Sequence, residues 1–378
     1  MKKLLLYITL AMATPVAGAQ TFESGGLAYR VDGPDRVTVV AKTDAAGHNL
    51  YDGVIIIPET VFYDEANYAV AAIADRAFFA STVTEVQVGN QVTSIGQAAF
   101  AQATALHDIT LPVGLEAVSP HMLQGTAITT IALPDGTTRV GDGAFDGCHS
   151  LRSVMLPQSM QRIGREAFND CPSLVEIYCA APTPPLTEPQ EVKGVELVVP
   201  DDTCADAYQQ HPVWGDFEAF SMWTADELDV TLRLTDEPAL DGNWQRLSLG
   251  GGMAYRIYDE QGYLMALTAA DNFYLPPTRR SRALTIVPTN LLAQAPAVEH
   301  HTQPTPVADL EQERTHPIIT AHDGTVHVHG DNYGTWTQVY DVYGMLWYQR
   351  PSVDGVIVLP ISRSYIIIVG DYVKKIWL

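Results

Sequence analysis

The fold is decided by the stretch Val140-Gly-Asp-Gly-Ala-Phe-Asp-Gly-Cys-His-Ser-Leu-Arg-Ser-Val-Met-Leu-Pro157. Its first six residues have counterparts at intervals of 22 or 23 residues along the chain. Its last seven residues, of the form L-x-x-V-x-L-P, have counterparts in the same phase. Because two separate blocks repeat together, the period predicts a repeat architecture before any local preference is considered. The first block recurs at residues 73–78, 95–100, 118–123 and 163–168, and the second at 106–112, 128–134 and 174–178.

Each repeat combines a short strand with a tight turn. The alternating second block suits a strand, and the Ala-Phe end of the first block suits a helical or 3₁₀ turn. One unit cannot bury its apolar side alone, so units stack at about 4.8 Å into a mainly β solenoid with internal columns of side chains. We interpret these columns as structural core and not as a cofactor site. The predicted core residues are Ile73, Phe78, Ile95, Phe100, Leu106, Leu111, Val118, Leu123, Ile128, Leu133, Val140, Phe145, Leu151, Leu156, Ile163, Phe168 and Leu174.

The segments on either side of the repeats are predicted to be caps. A solenoid needs polar-faced ends, because otherwise it would continue to stack. We therefore assign residues 20–72, which contain short strand patterns, to an N-terminal β cap. Residues 73–181 form the solenoid of about five repeats, and residues 182–221 form a C-terminal cap.

The pattern I-G-x-x-A-F followed by C-x-x-L-x-x-I-x-L-P resembles the BspA-type leucine-rich repeats of Bacteroidetes surface proteins. Cys148 and Cys171 occupy the cysteine place of that pattern. The unit at residues 118–133 departs from it, with Met122-Leu123 in place of Ala-Phe and a turn that is one residue shorter. The resemblance implies a non-catalytic surface protein that uses its repeats to bind a host or bacterial protein or a glycan, as in adhesion.

Four cysteines in a chain of this kind raise the question of disulfides. Their pairing stays open at this point. Cys148 and Cys171 lie 23 residues apart, which is one repeat length. We expect these two residues to stack on adjacent turns as buried thiols.

The N-terminus predicts export. Lys2 and Lys3 precede an apolar run and the small-residue triplet Ala17-Gly-Ala19, which is the pattern of a secretory signal peptide over residues 1–19. The alternative, a buried N-terminal helix, does not explain that triplet. Removal of the signal takes away two lysines and changes the formal charge from −22 to −24. Such a charge disfavours nucleic acid and anionic lipid as partners. No later apolar run reaches the roughly 18 residues of a transmembrane helix, so we expect a secreted or outer-surface location.

The C-terminal third is predicted to contain two β modules. Strand patterns of period two, separated by Gly and Pro turns, occupy residues 222–292 and 309–378. Both modules contain an Asp-x-x-Gly turn between strands, at 259–262 and 341–344. At about 70 residues each, they suit small immunoglobulin-like sandwiches. Residues 293–308 are predicted to be an extended linker.

The last module resembles the C-terminal sorting domains of the type IX secretion route. The resemblance is carried by residues 339–344, 357–360, 365–370 and 374–378. It implies that the export machinery reads this end of the chain as a partner. Residues 362–364 depart from the family pattern, and a purely structural β domain is the alternative.

No residue is predicted to be catalytic, to bind a cofactor or to hold a metal. The H-E-x-x-H, G-x-S-x-G, P-loop and dinucleotide-binding patterns are absent from the sequence. His327 and His329 have the spacing of a metal pair, with His316 and His322 nearby, but solvated histidines on a sheet edge are the simpler interpretation. The leading hypothesis is a binding protein. An extracellular hydrolase, or an accessory to one with a site in the β modules, is the alternative.

Overall fold

A computed structural model describes residues 20–222 except 65, 189, 191, 193 and 218, then residues 234–238, 244–250, 253–276 and 281–302 except 293. Beyond residue 302 it describes residues of the strands only. The predicted signal peptide and His316 lie outside the described residues. In the part of the chain described, no helix is long and apolar enough to cross a membrane.

The N-terminal segment forms a sheet, and one further strand, at the start of the solenoid. Its strands are β1 (Thr21–Ser24), β2 (Leu27–Val31), β3 (Arg36–Val40), β4 (Asp52–Ile57), β5 (Thr60–Tyr63) and β6 (Ala66–Ile73). The sheet has the order β1-β2-β3-β6-β5. Strand β4 does not belong to this sheet and pairs in parallel with the first long strand of the repeats, β7 (Thr82–Val88). The cap is therefore joined to the solenoid by backbone hydrogen bonds as well as by packing.

The repeats contain long strands and two-residue strands in alternation. In chain order they are β7 (Thr82–Val88), β8 (Ser94–Ile95), β9 (Asp108–Thr110), β10 (Ala117–Val118), β11 (Thr130–Ala132), β12 (Arg139–Val140), β13 (Ser153–Leu156), β14 (Arg162–Ile163), β15 (Glu176–Cys179), β16 (Leu186–Thr187), β17 (Glu196–Val199) and β18 (Ala219–Met222). The long strands form the parallel sheets β4-β7-β9 and β11-β13-β15-β17-β18. Strands β17 and β18 show that the ladder continues into the residues predicted to be the C-terminal cap.

The predicted core residues lie inside the solenoid. All seventeen are at most 4% exposed. Phe145 and Phe168 stack with their ring centroids 5.6 Å apart, and Phe78 and Phe100 do so at 5.0 Å. Leu123 stands between the two aromatic pairs, because it replaces phenylalanine in its unit. The side chains of this column are therefore buried throughout, but the stacking of aromatic rings is interrupted at Leu123.

Both strand ladders are interrupted between the second unit, which begins at Ile95, and the third unit, which begins at Val118. Strand β8 pairs with β6 and β10 with β12, and the long strands β9 and β11 lie in separate sheets. In neighbouring units a glycine follows the aliphatic residue, and an added Cβ at Gly164 would lie 2.5 Å from the backbone nitrogen of Asp142. The third unit has Ser119 at that place. The Ser119 hydroxyl donates to Ile95 O, whereas in the next two units the glycine N–H groups donate to the matching carbonyls, Val118 O and Val140 O.

The turn segments still connect these two units. Backbone bonds run from Ala98 N to Pro120 O at 3.0 Å and from Phe100 N to Met122 O at 3.0 Å. The same pattern continues in the next unit, where Leu123 N donates to Ala144 O at 2.9 Å. The turns therefore connect the two units by backbone bonds where the strands do not pair, and the Ser119 hydroxyl adds a bond to Ile95 O.

A short helix and a 3₁₀ turn close the C-terminal end of the solenoid. Helix α1 (Asp202–Gln209) begins after Asp201, whose carboxylate accepts a hydrogen bond from Cys204 N at 3.0 Å. The 3₁₀ turn spans Trp214–Asp216. Trp214 is buried and donates from Nε1 to Pro185 O at 2.8 Å. The last internal column is thus covered by an aromatic side chain.

The four cysteines are free thiols. Cys148 is fully buried and its Sγ donates to Leu123 O at 3.1 Å, and Cys171, which is partly buried, donates in the same way to Phe145 O at 3.2 Å. Each thiol therefore bonds to the turn of the preceding repeat. Burial raises the pKa of Cys148 to about 11 and that of Cys171 to about 12.

We expect Cys148 and Cys171 to resist alkylation of the native protein at pH 8, because the thiolate is the nucleophile and burial disfavours it. The measurement is iodoacetamide labelling followed by peptide mass spectrometry, before and after denaturation. A His149→Cys variant is the positive control, since the His149 side chain is 68% exposed. Rapid native labelling of Cys148 at the rate of the introduced thiol would contradict the buried position.

The C-terminal third contains two units with the same strand connections. The first has β19 (Thr235–Pro238), β20 (Gln245–Ser248), β21 (Ala254–Tyr258), β22 (Leu264–Thr268), β23 (Asn272–Leu275), β24 (Ala283–Thr289) and β25 (Val298–His301). The second has β26 (Ile318–His322), β27 (Thr325–His329), β28 (Trp336–Asp341), β29 (Leu346–Pro351), β30 (Gly355–Val358), β31 (Ser364–Val369) and β32 (Tyr372–Trp377). The sheets are β19-β20-β23 with β22-β21-β24-β25, and β26-β27-β30 with β29-β28-β31-β32. An immunoglobulin-like relationship stays a prediction.

Part of the predicted linker forms β structure, beginning with an isolated antiparallel bridge between Gln294 and Thr289. Residues 298–301 form strand β25, which pairs antiparallel with β24 at the edge of its sheet. An edge strand needs only one neighbour for its backbone bonds, so Glu299-His300-His301 can form it without an apolar alternation. We call the unit of β19 to β25 the first sandwich and that of β26 to β32 the second sandwich.

Candidate binding site between the solenoid and the first sandwich

The solvent-facing side of the long-strand sheet is covered by the first sandwich. Successive residues of a strand point to opposite faces, so Ile131 and Val154 point into the solenoid while Ala132 and Met155 point out. The outward residues are nevertheless buried, in a cluster with Ala254 and Leu267 of the first sandwich. Tyr178 and Val198 continue this outward row. The sandwich thus rests on an apolar strip of the sheet.

Polar contacts flank the apolar strip on the N-terminal side. The Gln87 amide donates to Tyr274 O at 2.8 Å and accepts from Tyr274 N at 2.7 Å, as a neighbouring strand would. The hydroxyls of Thr110 and Thr268 lie 2.7 Å apart and are buried. Asn90 donates to Met265 O at 2.8 Å. These paired groups fix the position of the sandwich along the solenoid.

An ion pair beside the end of strand β11 also joins the sandwich to the solenoid. The Arg256 guanidinium donates to both carboxylate oxygens of Asp135, at 2.5 and 2.9 Å. The Arg256 side chain is only 14% exposed. A bidentate ion pair of this kind fixes the relative orientation of the two side chains in addition to attracting them.

Three carboxyl groups also meet at the interface. Glu85 accepts hydrogen bonds from the Tyr274 hydroxyl at 2.8 Å and from Asn272 Nδ2 at 3.2 Å. Burial raises the pKa of Asp108, and the nearby charges of Asp271 and Glu85 raise it further. Burial, followed by the contact with Glu85, also raises the pKa of the Tyr274 phenol. The sequence gives no indication of this grouping, because Asp271 is 163 residues from Asp108.

A cleft of about 550 Å³ opens beside these contacts. Residues of β4 and β7 form one wall, and residues of β22 and β23 form the other. Trp244 and Tyr263 supply aromatic rings to the lining, and Tyr263 is 72% exposed. Glu59, Asp259 and Arg282 supply charged groups of both signs. The cleft is therefore built from two parts of the chain and does not exist in either alone.

Arg282 is the cation among the described residues that line this cleft. Burial lowers the pKa of its guanidinium, against the opposing effect of Glu260. Within the described residues, no side chain forms an ion pair or a hydrogen bond with that guanidinium. Asp259 holds its own turn by accepting from Gln261 N at 3.0 Å and Tyr263 N at 2.8 Å. The turn places Tyr263 at the mouth of the cleft.

The histidines considered as a metal pair lie in the second sandwich. His322 ends β26, and His327 and His329 belong to β27. Among the residues that the structure describes, no group of three His, Cys, Asp or Glu side chains is arranged to hold a metal ion.

The outward-facing residues of the long-strand sheet were not predicted to form an interface, but their sequence contains a pattern that indicates one. These residues change from polar to apolar along the chain: Gln87, Thr110, Ala132, Met155, Tyr178 and Val198.

Comparison with known proteins identifies the repeat region. Residues 71–183 match the family described as BspA type Leucine rich repeat region, in six copies. No curated protein matches the chain. Among solved structures, the chain is similar to a leucine-rich repeat protein of T. pallidum, at 27% identity over 44% of this chain and 70% of that one, with a TM-score of 0.34.

Two further solved structures are similar over a comparable part of the chain. A leucine-rich repeat protein from Bacteroides ovatus is 24% identical over 47% of this chain and 55% of its own, with a TM-score of 0.33. A leucine rich cell surface protein from Faecalibacterium prausnitzii is 19% identical over 62% of this chain and 61% of its own, with a TM-score of 0.33. The chain thus spans less than two thirds of these two proteins.

Proposed function

We propose that this chain, whose residues 71–183 are leucine-rich repeats of the BspA type, is an exported, non-catalytic surface protein that binds a protein or a glycan. The observation that carries the proposal is the cleft between the solenoid and the first sandwich. Ligand sites occur preferentially where two structural units meet, and their usual volume is about 300 to 1,000 Å³. The cleft lies at such a junction and falls within that range.

The proposal also rests on how firmly the two walls are held. The Gln87 contacts with Tyr274, the apolar strip and the ion pair of Arg256 with Asp135 join the solenoid and the first sandwich at separate points. Both walls are thus positioned before a ligand arrives, which reduces the entropy lost on binding. A scaffold with preformed walls suits recognition.

A binding array tests this function. The mature chain, residues 20–378, is applied to an array of glycans and of host and bacterial surface proteins. We expect saturable binding to one class, with competition by the same ligand in solution. Absence of saturable binding to every glycan and protein would contradict the proposal.

A hydrolase is the second candidate, because three carboxyl groups, those of Glu85, Asp108 and Asp271, lie near one another at the interface. The raised pKa of Asp108 beside Asp271 and Glu85 is a pattern found in general acids. Against this reading, Glu85 is already bonded to Tyr274 and Asn272. Turnover of an extracellular substrate that is lost in Asp108→Asn would favour the hydrolase.

We propose further that the second sandwich directs the last step of export. The support is its resemblance to sorting domains, together with the position of β32 at the end of the sheet β29-β28-β31-β32. Such a module acts by presenting a surface to another protein, and an edge strand is a surface that another protein can reach.

Deletion of residues 372–378, which removes β32, is expected to leave the protein in the periplasm of its native host. Fractionation into periplasm, surface and medium measures this, with protease resistance as the check that the truncated form is folded. A variant with Lys374→Ala and Lys375→Ala keeps the strand and shows whether its charge is required. Equal surface delivery of full-length and truncated protein would leave the second sandwich as a spacer.

A further inference from the structure

We propose that the cleft between the solenoid and the first sandwich binds a neutral oligosaccharide. The proposal rests on the binding function proposed above and adds the chemical class of the ligand and the residues that recognise it. The aromatic rings of Trp244 and Tyr263 and the charged groups of Glu59, Asp259 and Arg282 carry it. The charged groups restrict the net charge and the hydrogen-bonding groups of the ligand, and the aromatic rings require that the ligand has an apolar face.

The charges of the cleft disfavour a strongly charged ligand. An anion would meet Glu59 and Asp259 in a protein whose formal charge is −22, and a cation would meet the half-buried guanidinium of Arg282. Like charges at close range cost free energy where solvent is partly excluded. A ligand without net charge avoids both penalties.

The hydrogen-bonding groups of the cleft require a ligand that both donates and accepts. The guanidinium only donates, and the carboxylates of Glu59 and Asp259 only accept. Sugar hydroxyls do both, and neighbouring hydroxyls on one ring can bond to two atoms of one planar group. Arg282, which has no side-chain partner among the described residues, gains its hydrogen bonds from such a ligand.

The aromatic rings supply the apolar side of the same recognition. Tyr263 is 72% exposed on the turn that Asp259 holds, so its ring is available at the mouth of the cleft. A large exposed aromatic ring on an ordered turn is typical of a binding surface. The C–H face of a pyranose ring is a flat apolar surface that an aromatic ring can cover. A sugar therefore uses the rings and the charged groups together.

The test is calorimetric titration of the mature chain with neutral oligosaccharides of four to six sugars from glucan, mannan, galactan and xylan. Acidic oligosaccharides and a pool of extended peptides are titrated in parallel. We expect binding of one neutral series that is unchanged between 50 and 500 mM salt, because screening affects only charged ligands. Binding only of an acidic oligosaccharide, or only of peptide, would overturn the proposal.

Variants locate the site. We expect Tyr263→Ala and Arg282→Ala each to weaken binding at least about tenfold, the effect of losing a stacked ring or a charged hydrogen bond. Arg165→Ala and Phe79→Ala likewise remove a guanidinium and an aromatic ring, but on the turn side of the solenoid, and should leave affinity unchanged. Binding that survives in the Tyr263 and Arg282 variants would place the ligand elsewhere and leave the general binding function standing. Failure of every ligand on the array would instead remove the function itself.

Discussion

Replacement of Phe145 by alanine is expected to lower the free energy of unfolding by about 3 to 5 kcal/mol, the usual cost of truncating a large core aromatic. Phe145 is fully buried and stacks on Phe168 at 5.6 Å. The turn segments on both sides are fixed by backbone bonds to adjacent repeats, for example Phe145 N to Ala167 O at 2.9 Å. The surrounding chain therefore cannot collapse into the space left behind. A urea titration followed by circular dichroism measures the change.

The control for this experiment is Phe79→Ala. Phe79 belongs to the same kind of turn but is only partly buried, with the Arg76 guanidinium 3.6 Å from its ring centre. We expect a loss of about 1 kcal/mol or less, which covers the cation–π contact and a little packing. A loss below about 1 kcal/mol at Phe145 as well would show that the column is not a close-packed core.

Replacement of Met155 by aspartate is expected to separate the first sandwich from the solenoid. Met155 is buried in the apolar strip between Ala254 and Leu267 of the sandwich and Tyr178 of the sheet. An unpaired carboxylate in such a place costs several kcal/mol, and undocking lets water reach it. Because Met155 points away from the internal columns, the solenoid keeps its fold. The radius of gyration from small-angle scattering should rise while the far-ultraviolet circular dichroism is retained.

The matched control is Val175→Asp, which places the same charge on the solenoid at a side chain that is 44% exposed. A surface change of this kind alters stability by about 0.5 kcal/mol or less, and the scattering curve should not change. An unchanged radius of gyration for Met155→Asp would mean that the sandwich is not held by the apolar strip. The same variant should lose any ligand of the cleft, since one wall moves away.

The repeat was predictable from the sequence because the two apolar blocks share one phase. Residues such as Ile163 and Phe168 must face the interior in every stacked unit, so their recurrence at 22 or 23 residues predicts the solenoid. The family match over residues 71–183 confirms the BspA type of these repeats. The strand connections of the two sandwiches, which are the same, agree with the internal likeness read from the Asp-x-x-Gly turns.

The docking of the sandwich was not predictable in the same way. A methionine such as Met155 on the outer face of a strand is compatible with an exposed position, since scattered apolar residues are normal on protein surfaces. The ion pair of Arg256 with Asp135 joins residues 121 apart in the chain. No local pattern indicates such a pair. The strand at 298–301 was missed because its residues lack an apolar alternation.

The interruption between the second and third units has a mechanical consequence. There two blocks of the solenoid are joined by the turn segments and by the Ser119 hydroxyl, which donates to Ile95 O, without a shared strand ladder. We therefore expect bending to be easiest at this joint. The first sandwich contacts Gln87 and Thr110 on one block and Met155 and Asp135 on the other. It therefore lies across the joint and resists bending. Loss of this brace is therefore expected to let the two blocks move relative to each other.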